Sequence, residues 1–433
     1  MNIPDAARLV LSNASVPRAL VRVPDGVVVP DGGETVPLDI LIEGGRIVRL
    51  AEAGSLHGEA VDLDRGMAWP CFVDLHTHLD KGHIWPRASN PDGTRAGALA
   101  FVGADREANW SARDVRARMD FALRCAYAHG TRAIRTHLDS LGRQPWITWP
   151  VFAEMRERWR GRVELQAVAL FHPDAAADTA WLESLADLVA DCGGVMGGVP
   201  YMQPGIDDFL DRVFGHAEAR GLDLDFHVDE TNDPGAACLR RIAQTALRRK
   251  FPGRIVAGHC CSLAVQEPDE VDRTLDLVAE AGINVVSLPM CNMYLQDRVP
   301  GRTPRWRGVT LLHELRARGI GVIVASDNTR DPFYAYGDLD VVEVYREATR
   351  IAHLDHPVAD WPMAVTVTPS RVAGFADGVV AEGMPADLVL FRARSFNEFL
   401  ARPQSDRAVL RGGKPIDRTL PDYRELDHLM EQP

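Results

Sequence analysis

Lysine is nearly missing from this chain of 433 residues. Lys81, Lys250 and Lys414 are the whole supply, although lysine and arginine together number 48. Acidic groups are spread along the chain and outnumber the basic ones, for a net charge of −13. That balance argues against a nucleic-acid or anionic-membrane partner and favours a small neutral or cationic substrate. Long apolar runs are missing as well. No stretch reaches the roughly 18 residues of a transmembrane helix, so no membrane span is expected. The N-terminus lacks a signal-peptide layout, because Asp5 and Arg8 precede only a short apolar stretch. The seven cysteines are scattered and odd in number, which fits a reduced, cytoplasmic setting better than a disulfide framework. Cys260 and Cys261 make a poor metal pair, since adjacent residues of a strand face opposite sides. They are expected to be buried structural thiols. No glycine-rich phosphate loop follows any predicted strand, and no low-complexity segment interrupts the chain.

What is present is an ordinary globular mixture, 46% hydrophobic and 25% charged, with enough apolar material for a large core. The length suits one large α/β domain plus a smaller module. Val36–Ile42, a turn at Glu43-Gly-Gly45 and Arg46–Leu50 read as a hairpin. Near the other end, Ala386–Phe391 and Arg407–Arg411 read as strands. The termini are therefore expected to meet in a β-sandwich module of residues 1–68 and 376–433, around a catalytic domain of residues 69–375. Within that domain, eight apolar strands alternate with amphipathic helices. The strands are Met67–Leu75, Thr131–Thr136, Glu164–Phe171, Gly194–Val199, Leu224–Val228, Ile255–Gly258, Asn284–Leu288 and Gly321–Ser326. Helices are predicted at Val115–His129, Ala180–Asp191, Ile206–Arg220 and Pro268–Ala281. The order favours a closed (β/α)8 TIM barrel, with an open doubly wound sheet as the alternative.

In such barrels the chemistry sits at the C-terminal ends of the strands. Phe72-Val-Asp-Leu-His-Thr-His-Leu-Asp80 ends the first strand with His76 and His78, which share a face. Arg135-Thr-His-Leu-Asp139 ends the second strand, and Gln166 lies in the third with His172 beyond it. His227 ends the fifth, with Glu230 three residues on; His259 ends the sixth and Asp327 the eighth. A catalytic divalent metal needs three or four protein ligands and an open position for water. His76, His78, His227 and Asp327 can supply them, and zinc or ferrous iron would suit the set. Glu230 can then move a proton, and His259 can assist. Two-metal barrel enzymes commonly bridge their ions with a carboxylated lysine after the fourth strand. None of the three lysines lies near Gly194–Tyr201, so one ion is expected.

These motifs resemble the amidohydrolase superfamily, and within it the cytosine deaminase branch. Further segments carry the likeness: Asp225-Phe-His-Val-Asp-Glu230, Val256-Ala-Gly-His259, Asn292-Met-Tyr-Leu-Gln296, Ser326-Asp-Asn-Thr-Arg-Asp-Pro-Phe333 and Glu382–Phe391. The resemblance implies one Zn2+ or Fe2+ ion on His76, His78, His227 and Asp327, with Glu230 and His259 as the proton-transfer pair. Gln166 would hydrogen-bond the ring amide of a pyrimidine, and Phe333 would pack on the ring where cytosine enzymes tend to carry Trp. Two departures bear on specificity. Asn328 stands where those enzymes tend to have a second Asp, and the loop Lys81-Gly-His-Ile-Trp-Pro-Arg87 differs from theirs. Lys81, His83 and Trp85 there could touch substrate or pack the loop. The function implied is hydrolytic deamination of a cytosine- or isocytosine-like heterocycle. Metal-bound hydroxide would attack the amine-bearing carbon and ammonia would leave. The alternatives are an s-triazine N-alkylamino hydrolase of the isopropylammelide type, a cyclic amide hydrolase, or a metal-free binding protein that kept the barrel. A homo-oligomer is expected from the resemblance.

Overall fold

In the computed structural model, which describes residues 1–57 and 60–430, the expected hairpin forms from Thr35–Glu43 and Arg46–Glu52. Gly44 and Gly45 make its turn with φ of 57° and 79°. A tight hairpin turn that follows the strand twist needs left-handed backbone at both positions, which glycine adopts without steric cost. Arg8–Pro17 and Ala60–Asp62 complete a four-stranded sheet. A second four-stranded sheet joins Ala68–Pro70 to Leu388–Leu390, Ala408–Arg411 and Lys414–Pro415. Leu11, Leu38 and Ile40 of the first sheet share a buried core with Leu388, Leu390 and Leu410 of the second. Segments from both ends of the chain thus build one β-sandwich. It belongs to a compact unit of Met1–Asp74, Arg124–Ala133 and Asp340–Leu420.

The expected first barrel strand, Met67–Leu75, is in fact two strands. Ala68–Pro70 lies in the sandwich sheet, and the chain changes partners at Cys71. The Cys71 amide donates to the Asp387 carbonyl at 3.0 Å, and the Phe72 amide donates to the Gly130 carbonyl at 3.0 Å. Pro70 has no amide to donate, which makes it a natural place to leave a ladder.

The other compact unit takes Leu75–Leu123, Ile134–Leu339 and the segment from Pro421 onward. The barrel strands are β1 (Phe72–Thr77), β2 (Thr131–Asp139), β3 (Glu164–Leu170) and β4 (Met196–Gly198). They continue as β5 (Leu224–Val228), β6 (Ile255–His259), β7 (Asn284–Ser287) and β8 (Val322–Val324). β1, β2 and β3 form one ladder, and β4 to β8 form a parallel ladder in sequence order. Parallel bridges at Val168–Val195 and Thr77–Asp327 join the two ladders into a closed ring. Every residue of β1 and β2 is buried, as expected for strands covered on both faces.

The four predicted helices form within three residues of their expected bounds. Two helices near the site were not anticipated, the short Pro289–Leu295, which carries Asn292, and a longer one. The longer is α1 (Arg95–Asn109), capped by Thr94, whose hydroxyl accepts from the Gly97 amide at 3.0 Å. No described helix is long and apolar enough to cross a membrane.

Candidate active site

The ring closure brings the ends of the first and last strands together. The Asp327 amide donates to the His76 carbonyl at 2.8 Å, and the Thr77 hydroxyl donates to the Asp327 carbonyl at 2.8 Å. Asp327 is held in left-handed backbone, φ 63°, as is His259 at φ 70°. Such geometry is costly for residues with a side chain and gathers where a site dictates it. Gly258 faces His76 across the barrel: a Cβ there would stand 2.8 Å from His76 Cε1. Only glycine leaves the imidazole its place.

Four donor atoms converge from three regions of the ring. His76 Nε2 is 3.1 Å from His227 Nε2, and His227 Nε2 is 3.3 Å from His78 Nε2. Asp327 Oδ1 lies 3.1 Å from His78 Nε2 and 3.7 Å from His76 Nε2. These are the separations left by ligands about 2.0–2.2 Å from a shared ion. Burial pushes the pKa of His76, His78 and His227 well below the ordinary value, with neighbouring cations and imidazoles adding to it. The rings are therefore neutral, with lone pairs for a cation. Burial, and then Glu230, drives the Asp327 carboxyl well above its usual range. Neither of its oxygens receives a nitrogen or oxygen donor from the protein. A buried carboxylate without a donor is costly, and a divalent cation among neutral imidazoles removes that cost. The donor set therefore fits a metal ion.

His259 also comes within reach: with His76, His227 and Asp327 it forms a group whose ligand atoms lie within 4.8 Å of one another. Its hydrogen bonding favours another task. The Asn292 side-chain nitrogen lies 2.9 Å from His259 Nδ1, so that face of the ring is already engaged. Nε2 has no protein partner and faces the cavity, open to an oxygen there. His78 lies outside that group of four, although its Nε2 is 3.3 Å from His227 Nε2 and 3.1 Å from Asp327 Oδ1.

Glu230 lies beside His259, with Oε1 at 3.5 Å from Nδ1. The Asn292 amide donates to Glu230 Oε1 at 3.2 Å, and Arg95 Nε donates to Oε2 at 3.2 Å. Burial alone would raise the Glu230 pKa, but His259 and Arg95 outweigh it and hold the group below its ordinary value. It is a carboxylate at neutral pH, able to accept a proton.

His78, His227, Asp327, Glu230, His259 and Arg95 line a cavity of about 380 Å³, within the range of small-molecule sites. Lys81, Asn328 and Phe333 line it too. Lys81 Nζ is 2.8 Å from Asp139 Oδ1 and 5.1 Å from the centre of the Phe333 ring. The Asn328 amide donates to Asp331 Oδ2 at 2.7 Å. Gln166 and Trp85 are not among the lining residues. Gln166 accepts from Arg135 Nε and Nη2 at 3.2 and 2.9 Å. It lies four residues before the lining residue Leu170, about 13 Å deeper along β3. The Trp85 amide donates to the Arg330 carbonyl at 2.8 Å. His83 is buried against Phe121 and Tyr423, at ring-centre distances of 4.8 and 6.2 Å. The sequence reading missed Arg95 and Arg106, which come from α1, and gave Asn292 and His172 no role. The sequence signals for Asn292 were its place just after the seventh strand and the family likeness of the segment it opens.

Beneath the four donors lies a polar layer. His137 Nε2 is 3.4 Å from Asp225 Oδ1, and its ring centre is 3.8 Å from that of His76. Arg135 Nη1 donates to Asp225 Oδ2 at 2.9 Å. Asp225 is thereby engaged by an arginine, and the layer supports His76 from below.

Comparison with known proteins adds the family. The model of the amidohydrolase family matches residues 111–417. A pterin deaminase of Rhizobium rhizogenes (strain K84) is 57% identical over 430 residues, covering 99% of this chain and 98% of its own. An N-isopropylammelide isopropyl amidohydrolase of Pseudomonas sp. (strain ADP) is 25% identical over 392 residues, covering 87% of this chain and 93% of its own. The structure of 5-methylcytosine deaminase from Klebsiella pneumoniae shares the fold, with a TM-score of 0.79 at 23% identity over 96% of this chain and 98% of that one.

Proposed function

The chain belongs to the amidohydrolase family, and on that premise we propose that it is a hydrolytic deaminase of pterin. The observation that carries this reading is the 57% identity to the Rhizobium pterin deaminase over nearly the whole of both chains. It moves the substrate from the cytosine- or isocytosine-like ring suggested by the motifs to an aminated two-ring heterocycle. Asn328 agrees with the change: an amide offers both a donor and an acceptor where the cytosine pattern has a carboxylate. In the reaction, water adds to the ring carbon that bears the amine, that C–N bond breaks, and ammonia leaves a ring carbonyl.

His76, His78, His227 and Asp327 would hold one divalent ion, and zinc and ferrous iron both suit these donors. When bound, the ion lowers the pKa of a coordinated water from about 15.7 towards 7. Glu230 takes one proton from the attacking water and gives it to the ring nitrogen, then takes the hydroxyl proton of the adduct and gives it to the departing amine as the ring carbonyl forms. His259 donates from Nε2 to the attacking oxygen. Phe333 offers its face to the substrate ring, and Asn328 and Lys81 provide polar contacts at the cavity wall. The catalytic domain is taken as residues 69–375, with residues 1–68 and 376–433 as the β-module.

The test is ammonia release from pterin, cytosine, isocytosine and N-isopropylammelide by the metal-loaded protein, with released isopropylamine measured for the last. Pterin is expected to exceed the others in kcat/KM by about 10²-fold or more, the scale on which a site discriminates by its polar contacts. A preference for cytosine, or for release of isopropylamine, would replace the pterin reading.

A further inference from the structure

α1 presents one face to the cavity. Arg95, Leu99, Val102 and Arg106 recur at helical spacing, and all four line it. The far end of that face is tied down: Arg106 Nη1 donates to Asp139 Oδ2 at 3.1 Å, while Asp139 also takes Lys81. The near end is tied to the proposed proton shuttle, through Arg95 Nε and Glu230 Oε2. Asn292 holds the other oxygen.

A glutamate is loose about its last torsion, which is broad and roughly two-fold. A shuttle must present one lone pair to the attacking water and then a proton to the ring, so the plane of its carboxylate matters. One donor on each oxygen, from different elements, removes that rotation. A carboxylate has about four lone-pair sites, so one on each oxygen stays open for the reaction. We propose that Arg95 is a positioning residue that fixes the Glu230 carboxylate against the Asn292 amide in the plane proton transfer requires. The inference rests on the reading of Glu230 as the shuttle. The side chain of Arg95 is 41% exposed, so a guanidinium ion from solution can reach the gap its removal would leave.

The experiment compares wild type, Arg95→Ala, Arg95→Lys and Glu230→Gln as metal-loaded proteins, with pterin as substrate. For Arg95→Ala, kcat is expected to fall about 10- to 100-fold while KM stays within about threefold, as for a misaligned but occupied site. Arg95→Lys should fall between, since it keeps the charge and loses the planar fork. Guanidinium chloride at millimolar concentration should restore part of the lost kcat in Arg95→Ala and none in Glu230→Gln. A kcat of Arg95→Ala within twofold of wild type would overturn the proposal, as would a loss confined to KM, which marks a substrate contact instead. If Arg95→Ala unfolds α1, Arg95→Gln carries the same comparison, because it keeps the stem of the side chain. Wild-type turnover by Glu230→Gln would remove the shuttle reading and this proposal together. An inactive Glu230→Gln beside a fully active Arg95→Ala would remove the role of Arg95 alone.

Discussion

Burial keeps His76, His78 and His227 neutral, because a charge there would have little water around it. The same burial makes Asp327 reluctant to ionise without a cation. Glu230 is the exception in this group, held as a carboxylate by His259 and Arg95 against its desolvation. Replacing it with Gln should leave metal content unchanged and lower pterin turnover by about 10²-fold or more, the usual size for a lost general acid-base group. Metal analysis beside steady-state kinetics checks this, and near wild-type turnover would refute the role. His83 gives a separate test in a packed loop. Burial lowers its pKa from 6.5 to about 3, with Arg330 and Arg118 adding to the effect and Asp338 opposing it. Its folded pKa lies below its unfolded one, so the unfolded chain takes up the proton first. The stability associated with neutral His83 is intact above about pH 6.5 and is lost as the pH falls towards 3. Asn tolerates the left-handed backbone at this position, φ 65°, and does not titrate. His83→Asn should lessen the loss of unfolding free energy between pH 6.5 and 5 by about 2 kcal/mol. Urea unfolding at the two pH values measures it, and equal losses in variant and wild type would contradict it.

At the scale of elements, β6 approaches the site through a residue with no side chain. A Cβ at Gly258 would stand 2.8 Å from His76 Cε1 and 3.0 Å from Nδ1. Gly258→Ala should displace the imidazole and weaken metal affinity by about 10- to 100-fold, the cost common for disturbed support around a ligand. Competition with a chelator of known affinity reads this, and an unchanged constant would show that His76 does not need the space. The strand-end residues were legible because a parallel strand buried on both faces is an apolar run, and a polar residue at its end stands out. His76, His78, His227, Glu230, His259 and Asp327 were singled out this way. Depth along a strand was not legible. Gln166 has a plausible type, but it sits low on β3 and is held by Arg135. α1 was hidden for another reason: Gly97 and Gly103 weaken its helical pattern, so Arg95 and Arg106 carried no signal.

For the molecule as a whole, the ring of eight strands follows from the repeat of apolar run and amphipathic helix. Its closure at Thr77–Asp327 is what gives the distant motifs a common centre. The sequence misled at Met67–Leu75, where one apolar stretch serves two sheets, because no periodicity marks the change of partner at Cys71. The substrate was the least legible part: the motifs carry the chemistry of the family, and they leave ring size and substituents open. All of it depends on one ion shared by side chains from three places in the chain. The most direct test is elemental analysis of the purified protein with turnover followed through chelation and reloading. The expected result is one equivalent of zinc or iron per chain, pterin turnover lost on chelation, and recovery on adding the metal back. Full turnover after complete removal of the metal, or two equivalents per chain, would contradict the single shared ion.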